Sequence, residues 1–288
     1  MRHSLIVRFL LSISAIMVSN WGSSESTAEE NQILELRTYT LVDSAAEEKL
    51  DAYLKHSLLP ALQRQGLGPI GVFDQASDAE DGSIQVMLLV PGADVESVTS
   101  AASKLSSDEK YQQAAKEYLS TPAKKPIVKR IQSELLVSFD CWPKAVVPQQ
   151  AKNKSPRLFE LRIYESPTEK HGQLKVEMFN SGEVPIFLDC GITPVYMGQA
   201  VIGDKMPNLT YMTVYNNEAE RDEAWKKFTT HPDWQTLKEV EKYKDTVSTI
   251  HKSDWRAKPY SQLQGSSAEQ SGFLVRLYRV QKSPSPAV

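Results

Sequence analysis

Glu35-Leu36-Arg37-Thr38-Tyr39 and Glu160-Leu161-Arg162-Ile163-Tyr164 spell one phrase, Glu-Leu-Arg-x-Tyr, twice at an interval of 125 residues, and that repetition decides the fold. The same interval carries Pro60 onto Pro185, Gly66 onto Gly191, Leu67 onto Ile192, Pro69 onto Pro194, Ile84 onto Leu209 and Met87 onto Met212. A match spread over so many positions is an internal duplication, and a period this long gives two small domains rather than a solenoid. The length of 288 residues agrees, since it carries a prior of about two domains.

Periodicity supplies the elements of each copy. In the first, Ile33 to Leu41 alternates and is rich in strand formers, and Ala45 to Gln65 follows helical spacing through Leu50, Tyr53, Leu54, Leu58, Ala61 and Leu62. Gly66, Gly68 and Pro69 stop that helix. Ile70 to Phe73 and Ile84 to Val90 read as strands, Val95 to Leu119 as helical, and Ile127 to Phe139 as a closing strand. The second copy repeats the order: a strand from Leu158 to Tyr164, a helix from Thr168 to Leu188, and strands at Val195 to Gln199 and Leu209 to Tyr215. A helical stretch to Tyr243 and a last strand from Val247 to His251 complete it. Both copies are βαββαβ. Pro60 and Pro185 predict a kink or a new turn at one matched point of the two first helices. His231-Pro232-Asp233-Trp234 predicts a helix start, with Pro232 in the first turn where its missing N–H costs nothing.

The ends and the middle of the chain read differently. Arg2, His3 and Arg8 precede the apolar run Phe9 to Val18, and a polar small-residue segment ends near Ala28, the pattern of a secretory signal peptide over residues 1–28. Export to the periplasm or the medium follows as an expectation. The first domain is then 29–144, the second 157–260, with a polar, Pro-bounded linker at 145–156 and a flexible tail at 261–288 that carries a possible strand at 273–280. A formal net charge of −3 argues against a nucleic-acid partner. Cys141 and Cys190, one in each copy, leave open whether export joins them in a bridge.

A βαββαβ unit has a four-stranded antiparallel sheet with both helices on one face, the ferredoxin-like motif, and its other face must be covered. Strand alternation separates Leu34 and Leu36 from Glu35, Arg37 and Tyr39, and Phe159, Leu161 and Ile163 from Glu160, Arg162 and Tyr164. With the Leu set under the helices, the polar set would face the partner sheet, inside a barrel closed by the two open faces. The Glu-Leu-Arg-x-Tyr strands, the Pro60 to Leu67 helix ending and the His231 to Trp234 helix start together resemble the NIPSNAP family, over about residues 33–140 and 157–255. The resemblance implies an α+β fold of two tandem ferredoxin-like units packed sheet to sheet as an intrachain dimeric α/β barrel. That superfamily holds oxygenases, haem-degrading enzymes and binding proteins, so the fold does not decide the function.

The candidate ligand-binding residues are Glu35, Arg37, Tyr39, Glu160, Arg162 and Tyr164, because buried charge needs partners and an Arg fork beside a Tyr hydroxyl suits an anion or carbonyl. The competing reading is a pair of ion pairs that fix how the halves meet. His231 and Trp234 are weaker candidates, read first as a cap and a core aromatic, and His251 ends the last strand. No His pair has zinc spacing, so no metal is expected. No cofactor is expected either, a lone axial His231 or His251 leaving only a weak opening for haem. The leading function is a non-catalytic exported protein that binds a small molecule or protein partner through the barrel. The alternatives are a cofactor-independent or haem-using monooxygenase-like enzyme and a structural or assembly protein; peripheral membrane contact and further homo-oligomerisation stay open.

Overall fold

Eight strands close into one antiparallel barrel. The structure, a computed structural model, describes residues 30–76, 82–148 and 157–264; the expected signal peptide and the expected strand at 273–280 lie outside them. The first half runs β1 (Ile33–Leu41), α1 (Ala45–Tyr53), a π-turn (Leu54–Leu58), α2 (Leu59–Arg64), β2 (Gly71–Gln75) and β3 (Gln85–Gly92). Four short helices follow, α3 (Val95–Thr99), α4 (Ala101–Leu105), α5 (Glu109–Ala114) and α6 (Lys116–Leu119), and then β4 (Val128–Ser138). The second half runs β5 (Leu158–Glu165), α7 (Glu169–Met178), a π-turn (Phe179–Glu183), α8 (Val184–Cys190), β6 (Thr193–Ile202) and β7 (Asn208–Tyr215). It closes with α9 (Glu218–Thr230), α10 (Pro232–Leu237) and β8 (Thr249–Ala257).

Around the barrel the order is β1-β3-β2-β8-β5-β7-β6-β4, so each half contributes four adjacent strands, β4-β1-β3-β2 and β8-β5-β7-β6. The halves meet edge to edge. β2 pairs with β8 through Phe73↔Ala257, and β4 pairs with β6 through Val137↔Gln199. Two open sheets laid face to face would leave four edges of unpaired N–H and C=O groups, whereas closure leaves none. β8 also runs six residues beyond the expected His251 end, which brings Trp255 opposite Phe159.

The expected assignment of faces is reversed. Leu34, Leu36, Phe159 and Leu161 point into the barrel, with Phe73, Met87, Leu89, Leu136, Tyr196, Met212 and Trp255. Tyr39 instead joins Leu50, Leu54, Leu58 and Tyr111 beneath the first half's helices, and Tyr164 joins Phe179, Phe187 and Tyr211 beneath the second's. An eight-stranded barrel is just wide enough for side chains to fill it, which leaves no water for charges there. At the margin of the helix layer a long guanidinium stem is buried while its head reaches solvent.

The duplication persists in detail. The two π-turns lie at the same 125-residue interval as the sequence repeat, each just ahead of Pro60 or Pro185. A widened turn is one way to absorb the i→i−4 bond that a proline cannot make, so the predicted kinks take that form. Gly66 and Gly191 stop their helices at φ +80° and +86°, in the left-handed region that favours glycine. Two expected boundaries shift: Ala145 at the start of the linker and Leu263 in the tail are buried with the barrel-interior cluster. No bridge joins Cys141 and Cys190, although both pack against the second half's helix-side core.

Candidate functional site

Arginine and glutamate two apart on a strand lie on one face, and each copy pairs its own. In β1, Arg37 Nε and Nη2 donate to Glu35 Oε1 and Oε2, both at 2.9 Å, Nη1 donates to Tyr39 Oη at 3.3 Å, and Ser133 Oγ donates to Glu35 at 2.8 Å. Every group is satisfied within the first half, so the ion pair lies along one strand rather than between the halves, where the competing reading puts it. In β5, Arg162 Nε donates to Glu160 Oε1 and Nη1 to Tyr164 Oη at 3.4 Å, and Tyr211 Oη donates to Tyr164 at 2.8 Å. This second set is the more buried, at 9% and 5% exposure for the Arg162 and Glu160 side chains. Burial works against the Arg162 charge, but Tyr211, Tyr164 and Glu160 together outweigh it and hold the guanidinium more firmly protonated than usual.

Arg162 borders a cleft of about 410 Å³ lined by Glu160, Arg221, Asp222, Trp225, Lys252, Ser253 and Asp254. α9 forms one wall. Asn217 caps it by accepting from Glu220 N at 2.9 Å, and Arg221 and Trp225, four residues apart, then project from one side of the helix. The Arg162 guanidinium stacks on the Trp225 ring at 3.5 Å, a cation–π contact. Arg221 Nη1 donates to Asp254 at 2.8 Å, and its Nε lies 3.1 Å from Asp222 and 3.6 Å from Glu160. β8 forms the other wall: Lys252 and Asp254 face Arg162 and Glu160 across the strand pair, and Lys252 has no ion pair among the described residues.

The first half lacks this arrangement. The β4 positions facing Arg37 and Glu35 hold Ser133 and Leu135, and Leu135 packs against the first half's core. A groove of about 400 Å³ between α6 and the start of β4, lined by Tyr118, Leu119, Pro122, Ile127 and Arg130 among others, leaves Arg37 outside it. Arg221, Lys252 and Asp254 escaped the sequence reading. Their signal is divergence between the copies, which becomes visible once β4 and β8 are aligned by register.

A second departure is buried under the helices. Lys175 and Glu183, 6% and 3% exposed, pair at 2.7 Å, at the positions where the first copy carries Leu50 and Leu58. The ammonium lies 4.8 Å from the Phe179 ring and 5.6 Å from Trp234. Burial raises the Glu183 pKa, and Lys175 opposes that.

The weaker candidates have structural work. His231 caps α10, its Nδ1 accepting from Asp233 N at 3.2 Å, and Trp234 packs 4.5 Å from Phe228. His251 Nε2 lies 2.6 Å from Glu165 Oε1 at one mouth of the barrel. Each histidine ring uses one of its two nitrogens in that contact.

The closed barrel with helices on its outside is of the dimeric α/β-barrel class, here formed by a single chain. It is similar to a Fusobacterium nucleatum protein described as a candidate monooxygenase, with a TM-score of 0.53 and 9% identity over 79% of this chain and 93% of that one. A chlorite dismutase variant from Candidatus Nitrospira defluvii follows at TM-score 0.42 and 8% identity, over 81% and 93% of the two chains. A NIPSNAP-like domain protein from Burkholderia xenovorans gives 0.31 and 13%, over 34% and 82%. Residues 159–262 match the NIPSNAP family, so the second half of this chain carries a NIPSNAP domain. No curated protein matches the sequence.

Proposed function

We propose that this chain is an exported binding protein built from two ferredoxin-like units, and that the cleft beneath α9 takes a small anionic molecule. The carrying observation is the asymmetry between the halves. Both keep the Glu-Arg-Tyr set, but the second alone adds Arg221, Lys252 and Trp225 around an opening. Glu160 and Asp254 already occupy the inner edges of Arg162 and Arg221, which fixes those guanidinium groups in place. Lys252 is the cation left over, and a carboxylate or phosphate entering beside it meets preset donors and the Arg162–Trp225 stack. Fold similarity alone supports an oxygenase-like enzyme, and the cleft adds no residue to that reading.

Calorimetric titration of the mature protein with small carboxylates and inorganic phosphate tests the proposal. Saturable binding is expected, weakened about ten- to a hundredfold by Lys252→Met, since a hydrogen bond to a charged group contributes roughly 1.5–3 kcal/mol. The melting temperature should stay put, because Lys252 is exposed. Failure of every anion to bind, or wild-type affinity in Lys252→Met, would refute the proposal.

A further inference from the structure

Closure takes up strand edges only along the seams, and β4 runs on past its own. Its pairing with β6 stops at Leu135, whereas its pairing with β1 continues to Val128, in unbroken register from Val137 to Arg130. Backbone groups turn alternately to the two sides of a strand. Ser138 N donates to Gln32 O on the β1 side at 3.0 Å, and Phe139 N to Met197 O on the β6 side at 3.2 Å, so the odd-numbered residues aim away from β1. Ile131 and Ser133 therefore hold their N–H and C=O groups out from the sheet edge, and among the described residues none of the four has a backbone partner. The turn after β6 comes alongside at Asp204, which meets the Gln132 side chain, but Ile131 and Ser133 both stay exposed.

Edges that a protein guards carry charge, proline or a covering element at the open position. Ile131 is apolar and 53% exposed. With Leu119, 49% exposed, it lines the groove of about 400 Å³ between α6 and β4. An unpaired edge beside a groove is what receives an added strand: backbone bonds supply affinity, and every second side chain of the newcomer reaches the groove. Charge identifies the newcomer. Residues 116–133 hold five cations, Lys116, Lys124, Lys125, Lys129 and Arg130, against one acid, Glu117. None of the five forms an ion pair among the described residues. The chain's own last segment, 265–288, is basic as well, with Arg276, Arg279 and Lys282 against Glu269, and a second copy would bring the same cations to the edge. We propose that the overhang of β4 binds an extended acidic segment of another protein as an added strand, with apolar side chains in the groove. It uses no residue of the α9 cleft.

A fluorescein-labelled eight-residue peptide of alternating glutamate and valine tests this by anisotropy. Opposite residues of an antiparallel pair share a face, so with valine in the groove the valine N–H groups are the ones that meet Ile131 and Ser133. Saturable binding is expected, weakened about tenfold or more by N-methylating the valines and abolished by exchanging glutamate for lysine. In the complex the Ile131 and Ser133 amide hydrogens should exchange more slowly by NMR, which contact through charge alone would not produce. Ile131→Pro removes an edge N–H that bonds nothing in the free protein, a placement proline tolerates, and should weaken the peptide about tenfold. Lys129→Glu, with an expected loss of about threefold, serves if the thermal midpoint of the first variant falls. No saturable binding, full affinity of the N-methylated peptide, unchanged exchange of the two amides, or full affinity in a folded variant would overturn the proposal. Slowing of the same amides by phosphatidylglycerol vesicles would also overturn it, by assigning the edge to a membrane surface.

Discussion

Lys175 and Glu183 offer a test that the molecule itself controls. The first copy has Leu50 and Leu58 at the matched positions, both buried and both in a helix that widens into the same π-turn. Removing one partner leaves a charge under the helices, which costs about 3–5 kcal/mol. Lys175→Leu and Glu183→Leu should therefore each lower the melting temperature by roughly 6–20 °C, at about 2–4 °C per kcal/mol for a protein of this size. The double variant copies the sibling half. Replacing a buried ion pair by apolar residues of similar volume is often neutral or stabilises by about 1–4 kcal/mol, so the double variant should melt at or above the wild-type temperature. The assay is differential scanning calorimetry on the four proteins, analysed as a double-mutant cycle. A double variant as unstable as the sum of the singles would refute the reasoning. It would mean that the Phe179 and Trp234 rings require the ammonium and that the copies are not interchangeable there.

Arg162→Met should destabilise more than Arg37→Met, by about 2–4 against 1–2 kcal/mol in urea unfolding, because Glu160 is left more deeply buried than Glu35. Gly198→Ala should cost about 1–3 kcal/mol, since its Cβ would lie 2.9 Å from Leu136 Cβ and 3.1 Å from Val137 O at the β4–β6 seam; chemical denaturation measures it. Burial pushes the Cys141 thiol from 9.0 up to about 12 and the Tyr118 hydroxyl from 10.0 up to about 12. The folded state thus keeps protons that the unfolded chain releases, and the stability linked to these groups is full below about pH 9 and drains away by about pH 12. Urea midpoints at pH 8 and pH 11 should show the decline, and alkylation of native protein at pH 8 should leave Cys141 mostly unmodified.

The elements, their order and their duplication were legible in the sequence because periodicity, glycine and proline act locally. Gly66 stops its helix as its place in the sequence suggested, and the kink or new turn expected at Pro60 and Pro185 takes the form of a π-turn just ahead of each. The direction of the β1 and β5 faces was not legible. Alternation sorts Leu34 and Leu36 from Arg37 and Tyr39 but carries no sign, and the sign comes from how much room a closed barrel leaves inside. That Glu35 and Arg37 need partners was available from chemistry alone, since buried charge must be paired, but that they pair with each other along one strand instead of across the halves was not. Lys252 and Asp254 escaped because each looks like an ordinary surface residue in one dimension. They stand out only beside Ser133 and Leu135, a comparison that needs the strand register.

The two seams, β2 against β8 and β4 against β6, also fix how the protein responds to dilution. A barrel assembled from separate subunits falls apart as its concentration drops, and its folding follows mass action. Here the covalent connection holds the partner sheet at a high effective concentration, so the seams should persist in nanomolar solution. Because the halves cannot re-pair with copies of themselves at random, each is also released from having to match its own twin. A mutation in one half need not appear in the other, which is the freedom that a homodimer lacks and that the α9 cleft has used.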